Sequence, residues 1–277
     1  MDVVISGSHG LIGQALVHSL EADGHRAIRL VRGDGGGSES GRASVRWDPA
    51  NGEIDRAGLE GADAVVHLAG EGIADARWTD AHKRRVLESR TRGTTLLAEA
   101  LADLDAKPKV LLSGSAVGYY GDRGDEELTE TSPPGDLFLS EVCTAWEAAT
   151  RPAADAGIRV ACVRTGIVLS ADGGALAKQL PLFKFGLGGK LGSGRQYQSW
   201  ISIDDHIGAL RCLLDHDVRG PVNLTAPAPV TNATFTDALG AVLRRPTFLP
   251  IPSFGPKLLL GSELAHELLF ASQRVLS

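Results

Sequence analysis

Residues 1 to 13 read MDVVISGSHGLIG, and this stretch decides the fold. Val3 to Ser6 is an apolar, β-branched run of the kind needed by a strand covered on both faces. Gly7, Gly10 and Gly13 follow at three-residue intervals, and from Leu11 to Ala22 the apolar residues recur with a helical period. A strand, a glycine turn and a helix in that order form a cradle for a pyrophosphate. Backbone without Cβ atoms lets the phosphates approach, and the open N–H groups of the first helical turn attract them. The spacing is Gly-x-x-Gly-x-x-Gly, offset from the commoner Gly-x-Gly-x-x-Gly, but the physical requirement is shared. By itself such a motif also describes a plain tight turn; the strand before it and the helix after it favour a dinucleotide. Gly7, Gly10, Leu11, Ile12 and Gly13 are therefore the first cofactor-binding candidates.

Working outward, Ala27 to Val31, Ala64 to Leu68, Val110 to Leu112 and Val160 to Val163 repeat the buried-strand pattern. Amphipathic stretches separate several of these runs, notably Leu11 to Ala22, Asp80 to Leu101 and Asp136 to Ala154. The alternation predicts an α/β protein with a doubly wound parallel sheet. GDGGGSESG at 33–41 reads as a connecting loop within that unit. After Gly166 the rhythm changes to glycine-rich loops, a strand and helix around Trp200 to Leu214, the run PVNLT, and proline-punctuated segments. Residues 1–166 are thus expected to form the dinucleotide-binding domain, with about 200–225 returning to its sheet. Residues 167–277 are expected to form mainly a smaller substrate lobe.

The chain has 277 residues, 43% of them hydrophobic and 22% charged, and a net charge of −6. It lacks the basic excess that phosphate backbones require, so nucleic acid is excluded as a partner. The N-terminus has no basic leader, and no apolar run reaches bilayer-spanning length, which predicts a cytoplasmic protein without a membrane partner. Cys143, Cys162 and Cys212 are isolated and read as small buried apolar residues, without disulfide or zinc spacing. Asp204, Asp205 and His206 are adjacent at a helix start, where neighbouring side chains diverge. Capping by Asp204 or Asp205 explains them better than a metal does, and no metal is expected.

The choice of dinucleotide is read from the end of the second strand, where binders of NAD carry an acid for the ribose hydroxyls. Here the chain has RLVRG, with Arg32 at that point and no acid before Asp34. A guanidinium suits a 2′-phosphate, so NADP(H) is the expected cofactor, with Arg32 ahead of the strand residue Arg29; a solvated strand-end arginine is the plainer alternative. The run VVHLAG ends at the same sheet edge, which adds Leu68, Ala69 and Gly70 and leaves His67 as a packed strand residue.

With these pieces assembled, the sequence resembles the atypical extended short-chain dehydrogenase/reductases. The closer likeness is to the NAD-dependent epimerase/dehydratase-like branch with a C-terminal domain of unknown function. The stretches that carry it are GSHGLIG, HLAGEGI, RW followed by ESR, GSAVGYYG, WEAA, VRTGIVLS, GLGGKLGSGRQYQSWISIDD and PAPVTNATF, in order along nearly the whole chain. The resemblance implies a Rossmann-like domain with a substrate lobe and an NADP-type cofactor. It also implies that the helix carrying ESR lies along that cofactor. Arg90 is thereby a further contact, unless it is one surface charge among Lys83, Arg84, Arg85 and Arg92. Members of the branch continue past QRV, so truncation at Ser277 is expected.

The same resemblance implies a serine at the end of the strand in LLSGSAVGYYGD (111–122) and, one helix later, a Tyr-x-x-x-Lys pair. Residues four apart share a helix face, so the ammonium lowers the pKa of the phenol. Ser115 matches the serine. The pair is absent: none of the three tyrosines, Tyr119, Tyr120 and Tyr197, has a lysine four residues on. Counting back from Glu147 places the two positions on Ser140 and Thr144, in a helix that Asp136 would cap and that would bury Leu139, Val142, Cys143 and Trp146. The proton donor must then come from Tyr119, Tyr120, Glu141 or the substrate. Ser115 and Tyr120 are the catalytic candidates, although packing would also explain both tyrosines. In the following lobe, Arg195 and Gln198, with Gln196, suit an anionic or sugar-like small-molecule substrate, unless that loop is simply solvated. Two functions follow: an NADP(H)-dependent oxidoreductase or epimerase, or a weakly catalytic or inactive NADP(H)-binding sensor or scaffold. A homodimer is an open option in either.

Overall fold

Val3, Val4 and Ile5 are fully buried, as a central strand demands, and the sheet grows on both sides of them. The computed structural model describes residues 1–33 and 44–277, so Asp34 and all but Gly33 of the predicted 33–41 loop lie outside the described residues. In chain order, the first elements are β1 (Asp2–Ser6), α1 (Leu11–Ala22), β2 (Arg26–Arg32), β3 (Ser44–Asp48), β4 (Glu53–Ile54) and β5 (Ala64–His67). Next come α2 (Asp80–Ala102), β6 (Val110–Ala116), β7 (Glu127–Leu128), α3 (Phe138–Ala148), α4 (Arg151–Asp155), β8 (Arg159–Thr165) and β9 (Ile167–Leu169). The remainder includes α5 (Gly174–Lys184), β10 (Tyr197–Gln198), β11 (Trp200–Ser202), α6 (Ile203–Asp215), β12 (Gly220–Leu224), β13 (Val230–Thr231), α7 (Asn232–Leu243), α8 (Phe254–Leu260), α9 (Ser262–Ala265) and β14 (Arg274–Val275).

Among the described residues eight strands form one sheet in the order β12-β8-β6-β5-β1-β2-β3-β4. Its pairings are parallel except at the β3–β4 edge, where Trp47 faces Ile54 across an antiparallel hairpin. On one face α1 and α6 bury Leu16, Leu20, Ile207 and Leu210 against Ile5, Val66 and Val163. On the other, α2 buries Leu97 and Leu101 against Val4, Val65 and Leu111. This is the doubly wound, Rossmann-like α/β architecture, and β12 is the late strand that joins it from residues 220–224.

Several local expectations are corrected. The strand β3, one in from the β4 edge, is not anticipated by the sequence; its SVRWD alternates, burying Val45 and Trp47, instead of running continuously apolar. The helix predicted over Asp136 to Ala154 is two, because Pro152 lacks an N–H and starts a new turn at α4. Asp136 does not cap α3. The Glu267 carboxylate, from far along the chain, accepts hydrogen bonds from the N–H groups of Phe138 (3.1 Å) and Leu139 (2.8 Å). At α6 the cap is Ser202, whose hydroxyl accepts from the N–H of Asp205 at 3.0 Å and donates to its carboxylate at 2.8 Å, so Asp205 holds the cap in place and is not itself the cap. Cys143 and Cys162 are buried, but Cys212 is exposed on α6, 3.4 Å from Nδ1 of His216.

Candidate active site

At the C-terminal end of β1 the backbone turns so tightly that side chains have no room. Gly7 has φ +68°, and a Cβ there would lie 2.8 Å from the carbonyl of Leu68. A Cβ on Gly13 would lie 2.2 Å from the Gly7 oxygen, and one on Gly10 3.3 Å from the same atom. Gly10 is the N-cap of α1 and offers no side chain to its orphan donors, leaving the N–H groups of the first turn, at Leu11 and Ile12, open to a ligand. Ser6 ties the two sides of the turn together. Its hydroxyl oxygen accepts from the N–H of Leu68 (3.1 Å) and Ala69 (3.2 Å) and lies 2.6 Å from Nδ1 of His67. His67 is wholly buried, with Nε2 3.0 Å from the Thr94 hydroxyl, and burial pushes its pKa down to about 4. Its expected role as a packed strand residue holds.

Arg32 stands exposed at the end of β2. Arg29, half-buried, reaches the same turn and donates to the Ser8 carbonyl at 3.2 Å. Arg90 is buried, not one of a set of solvated charges. Its guanidinium donates to the carbonyls of Glu71 (3.0 Å) and Val86 (3.1 Å), packs beside Gly70, and lies 5.0 Å over the Trp146 ring. Trp146 in turn covers Gly114, where a Cβ would meet the indole at 2.8 Å, so the Leu68–Gly70 edge and the Ser115 strand share one wall.

That wall is a connected polar chain. Ser115 donates to Oε1 of Glu147 at 2.7 Å. Arg164, on β8, grips the same carboxylate with two parallel bonds of 2.8 and 2.9 Å. Its third nitrogen donates to the Tyr120 hydroxyl at 3.0 Å, Tyr120 donates to the Asn223 side-chain oxygen at 2.6 Å, and Asn223 donates to the Leu276 carbonyl at 2.9 Å. Tyr120 is thus fully buried, and burial pushes its phenol upward. Tyr119 is half-buried, with the Arg164 guanidinium 3.4 Å over its ring. The face of α3 turned to Ser115 carries Leu139, Cys143 and Glu147, spaced by four. Ser140 instead bonds the Gly118 carbonyl, and Thr144 is exposed. Counting in fours from Glu147 therefore gives Cys143 and Leu139, and the sequence count to Ser140 and Thr144 is off by one residue. The Cys143 thiol, pushed up to about 11 by burial, lies against Ser115.

In the lobe, Arg195 is exposed and Gln198 half-buried on β10, whereas Gln196 is buried and braces its loop through the carbonyls of Leu191 (3.2 Å) and Leu269 (3.0 Å). Gly173 and Gly174 set the start of α5 directly on Leu11, beside the glycine turn. Sequence reasoning missed Arg164 and Asn223. Both sit near the ends of strands in largely apolar runs, and a polar or charged residue there was the available signal. His206, one of the three residues rejected as a metal cluster, is buried with Nε2 3.1 Å from Thr165, and burial pushes its pKa down to about 4. Among the described residues no helix is long and apolar enough to cross a membrane.

Comparison with known proteins places this arrangement in a family. The sequence model of the NAD dependent epimerase/dehydratase family matches residues 3–225. The epimerase family protein Mb2239 of Mycobacterium bovis is 46% identical over 275 residues, covering 99% of this chain and 89% of its own. The crystal structure of the human epimerase family protein SDR39U1 (isoform 2) with NADPH is similar with a TM-score of 0.88 and 37% identity, over 100% of this chain and 91% of that one. A nucleoside-diphosphate sugar epimerase from Corynebacterium glutamicum is 42% identical with a TM-score of 0.75, over 98% of this chain but 59% of its own length.

Proposed function

The chain belongs to the NAD dependent epimerase/dehydratase family, and on that premise we propose an NADP(H)-dependent oxidoreductase or epimerase acting on a small polar, nucleotide-sugar-like substrate. The observation that carries this reading is the three-glycine turn at an uncapped helix N-terminus, with Arg32 exposed at the end of the adjoining strand. Those residues fit a dinucleotide: a backbone with no room for Cβ atoms, open N–H donors, and a guanidinium where a 2′-phosphate belongs. The human relative was solved with NADPH, which agrees with that choice.

When bound, NADP(H) supplies the hydride donor or acceptor; binding, orientation and proton handling fall to side chains. Gly7, Gly10, Leu11, Ile12 and Gly13 hold the pyrophosphate, Leu68, Ala69 and Gly70 line the path onward, and Arg90 fixes that edge from behind. Ser115 donates its proton inward to Glu147, so it presents oxygen lone pairs to the cleft and accepts from a substrate hydroxyl. Arg164 keeps Glu147 in place for that purpose. The Tyr120 phenol is engaged on both sides, which moves the proton-donor role to Tyr119, whose hydroxyl has no partner among the described residues. Arg195 and Gln198 take the polar end of the substrate.

A second reading, a cofactor-binding sensor or scaffold with little catalysis, is favoured by one observation: a neutral buried thiol, Cys143, faces Ser115 from the helix where the family's lysine is expected. NADPH consumption against keto-sugar nucleotides and small carbonyl compounds separates the two. Turnover that falls about 10²-fold in Ser115→Ala supports the enzyme. Tight NADPH binding with no turnover on any of them supports the sensor.

A further inference from the structure

Two segments of the C-terminal region, residues 174–198 and 230–261, differ from the rest of the molecule in charge and in surface. Those two segments carry seven Lys and Arg against one acid, Asp237, in a chain whose net charge is −6. They also expose large apolar side chains of a kind that the sheet and its helices bury. Phe185, at the C-terminal end of α5, is 81% exposed, and Phe248 is 78% exposed, accompanied by Leu182, Leu187 and Leu249. The two segments that bear them are neighbours: Gly186 packs on Pro246, and Gly189 lies against the carbonyl of Leu249. Lys184, Lys190, Arg244 and Arg245 are exposed around them.

We propose that this face docks on an anionic lipid surface, with the Phe and Leu side chains entering the headgroup boundary and the surrounding cations pairing with lipid phosphates. Exposed apolar groups of this size call for a partner. Charge complementarity selects its sign. A second copy of the chain meeting this face through a two-fold axis would bring like charges together, which disfavours self-association. Exposure selects its class: two aromatic side chains that are each almost wholly exposed suit insertion, whereas an acidic helix would need a groove. Such a contact requires no spanning helix, so it is compatible with the lack of one among the described residues.

The test is co-sedimentation of the full chain with vesicles of phosphatidylcholine alone and of phosphatidylcholine mixed with phosphatidylglycerol. Binding to the anionic vesicles at least about tenfold tighter than to the neutral ones, and lost in ~1 M salt, is expected. Phe185→Ser with Phe248→Ser should weaken it about tenfold, and Lys184→Glu with Arg244→Glu and Arg245→Glu should abolish the anionic preference. All these positions are exposed, so unchanged thermal unfolding is expected and certifies the variants as folded. Equal binding, or none, to the two vesicle types overturns the proposal. So does concentration-dependent self-association in sedimentation velocity that disappears in the Phe variant, which would assign the face to a second copy.

Discussion

The glycine turn after β1 and the polar wall after β6 stand at the same edge of the sheet, but they are built by opposite means. The turn is made of backbone: its function lies in atoms that are missing, and its partners are within a few residues or one strand away. The wall is made of side chains: Ser115 matters because of Glu147, Arg164, Tyr120 and Asn223, which arrive from α3, β8, the loop after β6, and β12. A backbone site tolerates no added atom. A network site tolerates no removed partner.

Mutations should expose that contrast. Gly13→Val forces a Cβ onto the Gly7 carbonyl and is expected to weaken NADPH binding ~10³-fold or more, about 4 kcal/mol, as read by calorimetric titration. If Arg32 and the wall alone held the dinucleotide, the loss would be small. Arg164→Met leaves the Glu147 carboxylate without its bidentate partner in a mostly buried setting, and should cost about 3–5 kcal/mol in chemical denaturation. A loss below 1 kcal/mol would show the wall to be solvated. Both His67 and His206 gain a proton near pH 6.5 when unfolded but only near pH 4 in the fold. The unfolded chain therefore binds more protons across that window. Stability present above the upper value is lost as pH falls toward the lower one, by about 3 kcal/mol for each histidine. Replacing His67 with Phe should flatten that pH dependence by about half in urea titrations. Tyr120→Phe removes one hydroxyl between Arg164 and Asn223 and should lower stability by about 1–2 kcal/mol. Were it to abolish turnover while leaving stability intact, the proton-donor role would return to Tyr120.

The same contrast explains what was legible beforehand. The α/β architecture, α1 to the residue, and the glycine turn could be read because buried parallel strands are continuously apolar and because backbone geometry demands particular residues at short spacing. β3 escaped because its pattern alternates instead of running continuously apolar. The caps of α3 and α6 were misplaced because Glu267 acts from more than a hundred residues away and because Ser202 precedes the acids that drew attention. Ser115 was identifiable only through resemblance; nothing in LLSGSAVGYYGD indicates that its proton points to Glu147. Tyr120 and Tyr119 cannot be told apart from sequence, since what separates them is which ring the fold buries against Asn223.

The proposed NADP(H) site rests on the glycine turn and Arg32 acting together. Titration of the protein and of Arg32→Ala with NADPH and with NADH tests it most directly. NADPH is predicted to bind more than about tenfold tighter than NADH, and the variant should lose most of that preference while keeping its NADH affinity. Equal affinity for the two dinucleotides, or a preference for NADPH that survives Arg32→Ala unchanged, would contradict it.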